Sequence, residues 1–433
     1  MANEARFIGA DRAQTRWDFI DLEGFLPSDH RARIVVGFVE GLDLGELYAA
    51  IKSREGAPGR PPPDPAVLLA LWLYATIEGV GSARALARLC EGDLVYRWIA
   101  GGVPLNHHGL ADFRVGHVAV LDRLLTDGVT ALIAEGVVSL AEVAVDGTKV
   151  RAQASRDSFK TADKLDRIEA MVEGRLAALK AELETDPAAS SRRKQAARQR
   201  AALDVKARAE RARQALDKLR AEKAARAKTH KKDEEKKTES KASLSDPQAR
   251  VMRFADGARR PAYNAQIAVA PKEGVILAVA MTDRRNDAGL AAPMVDEIIE
   301  RYGRAPQSLL VDTHYALAAD IAALAAHKVG AVKVFAPPPT ERQDVKPETL
   351  RRRAKLRARE PQGVKEWRCR MATPEGQAIF SRRRFIERVN GNLKNHGFGF
   401  MPVRGLIKAK AIALWHALAH NFVTIQRLRV KAA

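Results

Sequence analysis

Three carboxylates in this sequence stand where ordinary packing does not call for them. Asp146 closes the apolar run Glu142-Val143-Ala144-Val145 and is followed by Gly147-Thr148-Lys149. Asp312 closes a second such run, Ser308-Leu309-Leu310-Val311. Glu387 lies in a basic stretch, with Arg383 four residues before it and Lys394 seven residues after it. A carboxylate beside a buried strand is costly unless it is paired or bound to a cation. Gathered at one point, the three would make a cation site. Each also has a plainer reading. Asp146 can cap a turn with Gly147, and Glu387 can pair with Arg383 on a surface helix for about 0.2–0.5 kcal/mol. The elements that carry the acids decide between these readings.

Residues 28–136 read as helical. Ser28-Asp29 offers a cap for a helix with Ile34, Val35, Phe38 and Val39. Residues 56–63 are too rich in Gly and Pro for helix. Asp64-Pro65 then supplies a cap and a first-turn proline, ahead of an apolar stripe at Val67, Leu68, Leu71 and Tyr74. Ser82 caps a short helix with Leu86 and Leu89 inward and Arg84 and Arg88 outward. One long helix is expected from Asn106 to Gly136. Short helices with outward arginines fit a helix-turn-helix-like DNA module or an ordinary bundle. Adjacent His107 and His108 suit a helix cap or loop, because neighbours on a regular element cannot both face one ion.

After Asp146 the composition changes. Leu165, Ile168, Val172, Leu176, Leu179 and Leu183 step by three and four, as in a heptad seam. Asp186-Pro187 breaks it, and a second helix from about Arg192 to Lys228 follows. Residues 228–246 are low in complexity. This charged hairpin has a mostly solvated face, but a basic excess could also meet DNA phosphates.

Strand patterns then resume. Tyr263, Ala265, Ile267 and Val269 alternate with Asn264, Gln266 and Ala268, which predicts a half-buried strand. Lys272-Glu273-Gly274 turns into a strand over 275–281. A helix is expected over 287–302, the strand with Asp312, a helix over 317–327 and a strand over 332–336. Strands alternating with helices predict an α/β core with partly parallel pairing. A helix is expected over 376–396. At about 100° per residue it puts Phe380, Arg383, Glu387 and Lys394 on one face, and Ile386, Val389 and Leu393 on another.

Lys and Arg number 73 against 53 Asp and Glu, a net charge of +20, which favours a polyanionic partner. Two cysteines, Cys90 and Cys369, exclude a disulfide scaffold and leave a reducing cytoplasm as the expected setting. The first residues hold no apolar signal core, and no run reaches the ~18 apolar residues of a membrane span.

Taken together, the motifs resemble the bacterial insertion-sequence transposases of the DDE type, which join a helical N-terminal transposase domain to a ribonuclease H-like catalytic core. The resemblance rests on Val145-Asp146-Gly147-Thr148-Lys149, on Leu310-Val311-Asp312-Thr313-His314-Tyr315, and on the third-acid segment. In the family that segment reads Tyr, two residues, Arg, three residues, Glu, six residues, Lys. Here Phe380, Arg383, Glu387 and Lys394 keep the spacing, with Phe in place of Tyr. The departure removes a hydroxyl that could contact phosphate and keeps the ring. Leu414 to Asn421 is similar to the family's closing helix.

The resemblance implies a mixed sheet with flanking helices, an all-α N-terminal domain and an inserted charged hairpin. The implied divisions are a helical DNA-binding domain (1–138), the first core strand (139–160), the hairpin and low-complexity segment (161–250), and the rest of the core with its closing helices (251–433). It implies that Asp146, Asp312 and Glu387 converge as catalytic residues and ligands of two Mg²⁺ ions (or Mn²⁺), with Asp146 bridging both. Arg383, Lys394, Lys149 and Phe380 would contact DNA. The implied reaction is phosphodiester hydrolysis at the element's terminal inverted repeats, then attack of the 3′-hydroxyl on target DNA. The implied partners are those two DNAs and a second copy, as a homodimer on DNA, with no membrane. The implied place is the bacterial cytoplasm, at the nucleoid. The rival readings are a ribonuclease H-like nuclease without strand transfer and a catalytically silent, transposase-derived DNA-binding protein. The strands of 260–336 weigh against a fourth, a basic helical structural protein.

Overall fold

A computed structural model describes residues 21–53, 61–185, 191–229, 239–339 and 347–432. The expected loop at 56–63, the hairpin break and most of the low-complexity stretch fall partly or wholly outside these. The helical head comprises α1 (Leu22–Phe25), α2 (Arg31–Glu40), α3 (Gly45–Ala49), α4 (Pro65–Ile77), α5 (Ala83–Gly92), α6 (Leu94–Ala100), α7 (His107–Gly116) and α8 (Val118–Ala134). The core begins with β1 (Glu142–Arg151). β2 (Phe159–Lys160), α9 (Ala162–Thr185), α10 (Arg192–Thr229) and β3 (Ala242–Ser243) follow. Next come β4 (Arg250–Arg253), β5 (Arg259–Ala270), β6 (Val275–Thr282), α11 (Ala291–Tyr302), β7 (Ser308–Leu310), α12 (Ala318–Ala325) and β8 (Lys333–Phe335). α13 (Pro347–Ala358), α14 (Gln362–Ala372), α15 (Pro374–Ser381), α16 (Arg384–Leu393) and α17 (Leu406–Ala432) end the chain.

In the head, the Asp64 carboxylate accepts from the Ala66 amide at 2.8 Å and Pro65 fills the first turn of α4. The stripe expected on α4 widens to the whole circumference, Leu68 to Ile77 being buried, because α17 covers its other side. α2 is capped by His30, not Ser28-Asp29: His30 Nδ1 accepts from the Ala32 amide at 3.1 Å. Val35 and Val39 face inward, whereas Ile34 and Phe38 are exposed. The single helix expected over 106–136 is two. Beside Gly116, a poor helix former, His117 leaves helical geometry at φ −120°, ψ 43°. His107 and His108 open α7, behind an Asn106 cap. Arg84 and Arg88 point to solvent, as expected.

The main sheet runs β4-β5-β1-β7-β8, with β6 also on β5. β4 and β6 follow one another along one edge of β5, and β1 takes the other, all antiparallel. β1, β7 and β8 are mutually parallel. Four antiparallel strands, β4, β6, β5 and β1, continued by the parallel β7 and β8, with helices around them, form a ribonuclease H-like α/β core. β5 is buried from Pro261 to Ala270, not half-buried, because its polar face is covered as well.

The hairpin α9–α10 leaves the core between β1 and β4. At its base β2 pairs with β3, over a small cluster of Ala162, Leu165, Ala212, Leu216 and Ala242. Arg213 pairs across it with Asp166 and Glu169. Head and sheet share one continuous apolar core. α17 joins them. Its Trp415 Nε1 donates to the Arg114 carbonyl at 2.9 Å, and Asn421 bonds both the amide and the carbonyl of Ile276 in β6 at 2.8 Å. Buried Arg301 of α11 adds a polar tie, bonding Asp122 of α8 and Glu297. No described helix is long and apolar enough to cross a membrane.

Candidate active site

Asp146 lies midway along β1, opposite Ile267 of β5. Its carboxylate is held from one side by the last helices of the core. Arg383 Nη2 donates to Oδ1 at 2.9 Å, and Asn390 Nδ2 donates to Oδ2 at 2.9 Å. Burial pushes its pKa above the ordinary carboxylate value. Asp312 and Asp287 push the same way, and the Arg383 charge opposes them. Both oxygens are therefore met by donors, and still the net environment disfavours the charge.

Asp312 stands two residues beyond the end of β7, not within the strand. It caps the short turn Thr313–Tyr315, accepting at Oδ1 from the His314 amide at 2.8 Å and from the Tyr315 amide at 3.3 Å. Its other oxygen lies 3.2 Å from His314 Nδ1. Ala144 of β1 pairs in parallel with Leu310, so Asp146 and Asp312 extend from adjacent strands at the same level and face.

The single helix expected over 376–396 is broken twice. At Arg382 and Arg383 the amides bond three residues back, to Ile379 and Phe380, and the axis tightens between α15 and α16. This break turns Arg382 to Glu142 and Arg383 to Asp146, two acids four residues apart on β1. After Leu393 a wide turn ends at Gly397, whose φ is +94°. Arg383 and Glu387 keep the expected contact, Nη1 to Oε1 at 3.1 Å, and Glu387 is exposed. Phe380 is half-buried against the core, whereas Glu387 and Lys394, seven residues apart, are both exposed. Lys149 donates to the Arg253 carbonyl at 2.8 Å, which ties β1 to β4.

The sequence reading missed Asn390, Asp287, Asn264, Gln266 and Tyr315. Asp287 was expected to begin a helix, but α11 starts at Ala291. The turn between them ends at Gly289, with φ +75°, and leaves Asp287 free to bond Asn264 and Gln266. The available signal was two polar residues, Asn264 and Gln266, within a strand long and apolar enough to be buried.

Among the described residues no three His, Cys, Asp or Glu stand close enough to hold one ion. The guanidinium of Arg383 lies between Asp146 and Glu387 instead. The donors nevertheless suit a hard divalent cation: carboxylate oxygens from Asp146, Asp312 and Glu387, and the buried Asn390 Oδ1, which has no hydrogen-bond partner.

Two family models match the chain. The transposase DDE domain covers residues 227–422. A transposase domain (DUF772) covers residues 20–115. The first match begins after the strand of Asp146 and takes in the elements of Asp312 and Glu387; the second takes in most of the helical head. No curated protein and no solved structure matches the chain. The family generally uses divalent metal ions. With transposase domains matched before and after the hairpin, and most strands of a ribonuclease H-like sheet inside the DDE match, the chain belongs to the insertion-sequence transposases of the DDE type.

Proposed function

We propose that the protein is an active DNA transposase, cutting at the ends of its own element and joining them to target DNA. The observation that carries this reading is the partly buried, unfavourably charged Asp146, beside Asp312 and bridged by one guanidinium to Glu387. Structural packing alone gives no reason to keep an acid there, since neutral residues would avoid its desolvation.

Asp146, Asp312 and Glu387 would hold the divalent cation, two ions where both reacting oxygens are to be met. A bound ion supplies Lewis acidity at a phosphate oxygen. Arg383 would exchange its carboxylates for a DNA phosphate, and exposed Lys394 would hold the DNA end by charge. Phe380 gives a ring but no hydroxyl, and Lys149 orders the strand beside the site. In the first step a water oxygen bonds to phosphorus at the element's end, and the element's 3′ oxygen leaves and takes up a proton. In the second that 3′ oxygen bonds to a target phosphorus, loses its proton, and displaces the target strand's own 3′ oxygen. Two ends and one target imply a dimer on DNA, working where the bacterial chromosome is.

A second reading has its own support. Both oxygens of Asp146 are occupied by donors, and Phe380 replaces the family's Tyr, as a catalytically silent DNA-binding descendant would allow. The test incubates the protein with DNA carrying the element's terminal repeats and Mg²⁺ or Mn²⁺. Cleavage and joining that vanish in Asp146→Asn, Asp312→Asn and Glu387→Gln support the proposal. Binding without cutting favours the silent descendant, cutting without joining a nuclease. Undiminished activity of Asp146→Asn refutes the site.

A further inference from the structure

Asp287 plays no part in the mechanism above, yet it is built into the back of the site. Its Oδ1 accepts from Asn264 Nδ2 at 2.7 Å and from Gln266 Nε2 at 2.9 Å. With its amide nitrogen committed, Gln266 offers Oε1 to the Tyr315 hydroxyl, which donates to it. Tyr315 is buried, and its own backbone amide donates to the Asp312 carboxylate. A continuous hydrogen-bonded chain thus runs from Asp287 through Gln266 and Tyr315 to Asp312.

The sheet register places this chain. Gln266 lies opposite Gly147, and Asp146 opposite Ile267. Side chains alternate along a strand, so Gln266 and Asp287 occupy the face of β1 opposite to the Asp146 side chain. Gly147 makes the room: a Cβ there would lie 2.1 Å from Asp287 Oδ1 and 2.7 Å from Gln266 Nε2. Asn264 and Gln266 are each 1% exposed in the middle of a buried strand, where unbonded amides would be costly. Asp287 answers both amides with one oxygen and fixes which end of Gln266 faces Tyr315.

We propose that Asp287 is a positioning residue: through Gln266 and Tyr315 it sets the Asp312 carboxylate against Asp146 from the reverse side of the sheet. The inference rests on the active-site reading given under Proposed function. It goes beyond that reading by assigning a fourth acid that touches neither the cation nor DNA. A hydrogen-bonded partner that orients a ligating carboxylate typically changes metal affinity by about 10–100-fold.

The test uses the full chain without DNA and measures Mn²⁺ affinity by electron paramagnetic resonance of the free ion, which needs no turnover. Asp287→Ala and Tyr315→Phe are each expected to weaken Mn²⁺ binding by about tenfold. Asp287→Asn keeps an acceptor oxygen for both amides and is expected to recover most of the loss. Because the residues act in one chain, the double variant should bind no worse than the weaker single variant. Near-ultraviolet circular dichroism reports whether each variant is folded. Tyr315→Phe, which removes a single oxygen, carries the test if Asp287→Ala does not fold. Wild-type affinity in the single variants, or additive losses in the double one, overturns the proposal. If wild type itself binds no Mn²⁺ and cuts no DNA, the active-site reading falls and the positioning role falls with it. If wild type binds and cuts while the variants match it, the positioning role alone is refuted.

Discussion

The Arg383 guanidinium spans Asp146 and Glu387, with Nη2 2.9 Å from one carboxylate and Nη1 3.1 Å from the other. Arg383 lies 237 residues from Asp146 in sequence, and its one cation joins the two acids at the centre of the candidate site. The side chain is only 13% exposed, and its Nε is buried with no hydrogen-bond partner. In the protein alone this guanidinium offsets part of the negative charge of the two carboxylates, the groups that would hold the divalent ion under the proposed function.

Competition between guanidinium and metal ion is directly testable. Arg383→Gln should raise the Mn²⁺ affinity of the DNA-free protein while lowering cleavage of terminal-repeat DNA. A charge-assisted hydrogen bond contributes about 1.5–3 kcal/mol, so a loss of about tenfold or more in cleavage is expected. Calorimetric titration of Mn²⁺ and a cleavage time course measure the two effects. An affinity equal to that of wild type would show that Arg383 and the ion do not share the site.

Asp146 should act against stability at neutral pH. Its pKa is raised in the folded protein, chiefly by burial, with Asp312 and Asp287 adding to it. The folded state then holds the proton to a higher pH than the unfolded chain does. Stability from this group is greatest below the unfolded value of about 3.9, and declines as pH rises through the raised folded value. Asp146→Asn removes that decline, so it should melt no lower than wild type at pH 7 while losing cleavage. Melting curves across pH 4–8 compare the two proteins. A variant that melts well below wild type at pH 7 would mean the Arg383 pair outweighs the cost of burial.

Gly147 should not tolerate a side chain. A methyl group there meets Asp287 Oδ1 and Gln266 Nε2, two side-chain ends held to each other by a hydrogen bond. Overpacking of this kind costs about 1–3 kcal/mol. Gly147→Ala should therefore lower the unfolding free energy in chemical denaturation by that much, and Gly147→Ala with Asp287→Ala should recover part of it. A single variant as stable as wild type would mean the loop before α11 yields freely.

The acids were readable because each is announced locally: Asp146 and Asp312 each close a short apolar run, and Glu387 has correctly spaced cations. The succession of strands along the chain followed from the same runs, but not their order in the sheet or β4. What stayed hidden depends on contacts distant in sequence. Asp287 looks like a helix start until Gly289 adopts its left-handed turn and β5 brings Asn264 and Gln266 under it. Asn390 reads as an ordinary helix position until the break at Arg382-Arg383 sets α16 against β1. The head reads as a separate domain, because nothing in residues 28–136 announces that α17, some three hundred residues on, will complete its core. In the first two cases a glycine and a run of arginines stand where the backbone changes course, which periodicity does not register.

The hairpin offers a prediction about DNA. Its charge is uneven: α10 carries fourteen Lys and Arg against four Asp and Glu, while α9 carries four against six. The acids of α9 pair across to Arg213, Lys206 and Arg198, which leaves most of the basic excess of α10 to meet solvent or phosphate. The base is held separately by the β2–β3 pair and by Asp246, which accepts from the buried Tyr263 hydroxyl. Removing the hairpin above that base, with a short Gly-Ser link, should leave the core folded, because the hairpin's apolar side chains form their own small cluster. DNA affinity should fall, and the slope of log affinity against log salt should become shallower by about 0.9 for each phosphate that α10 no longer neutralises. Fluorescence anisotropy over a salt series measures it. An unchanged slope would mean that α10 faces water and that the head and core alone bind DNA.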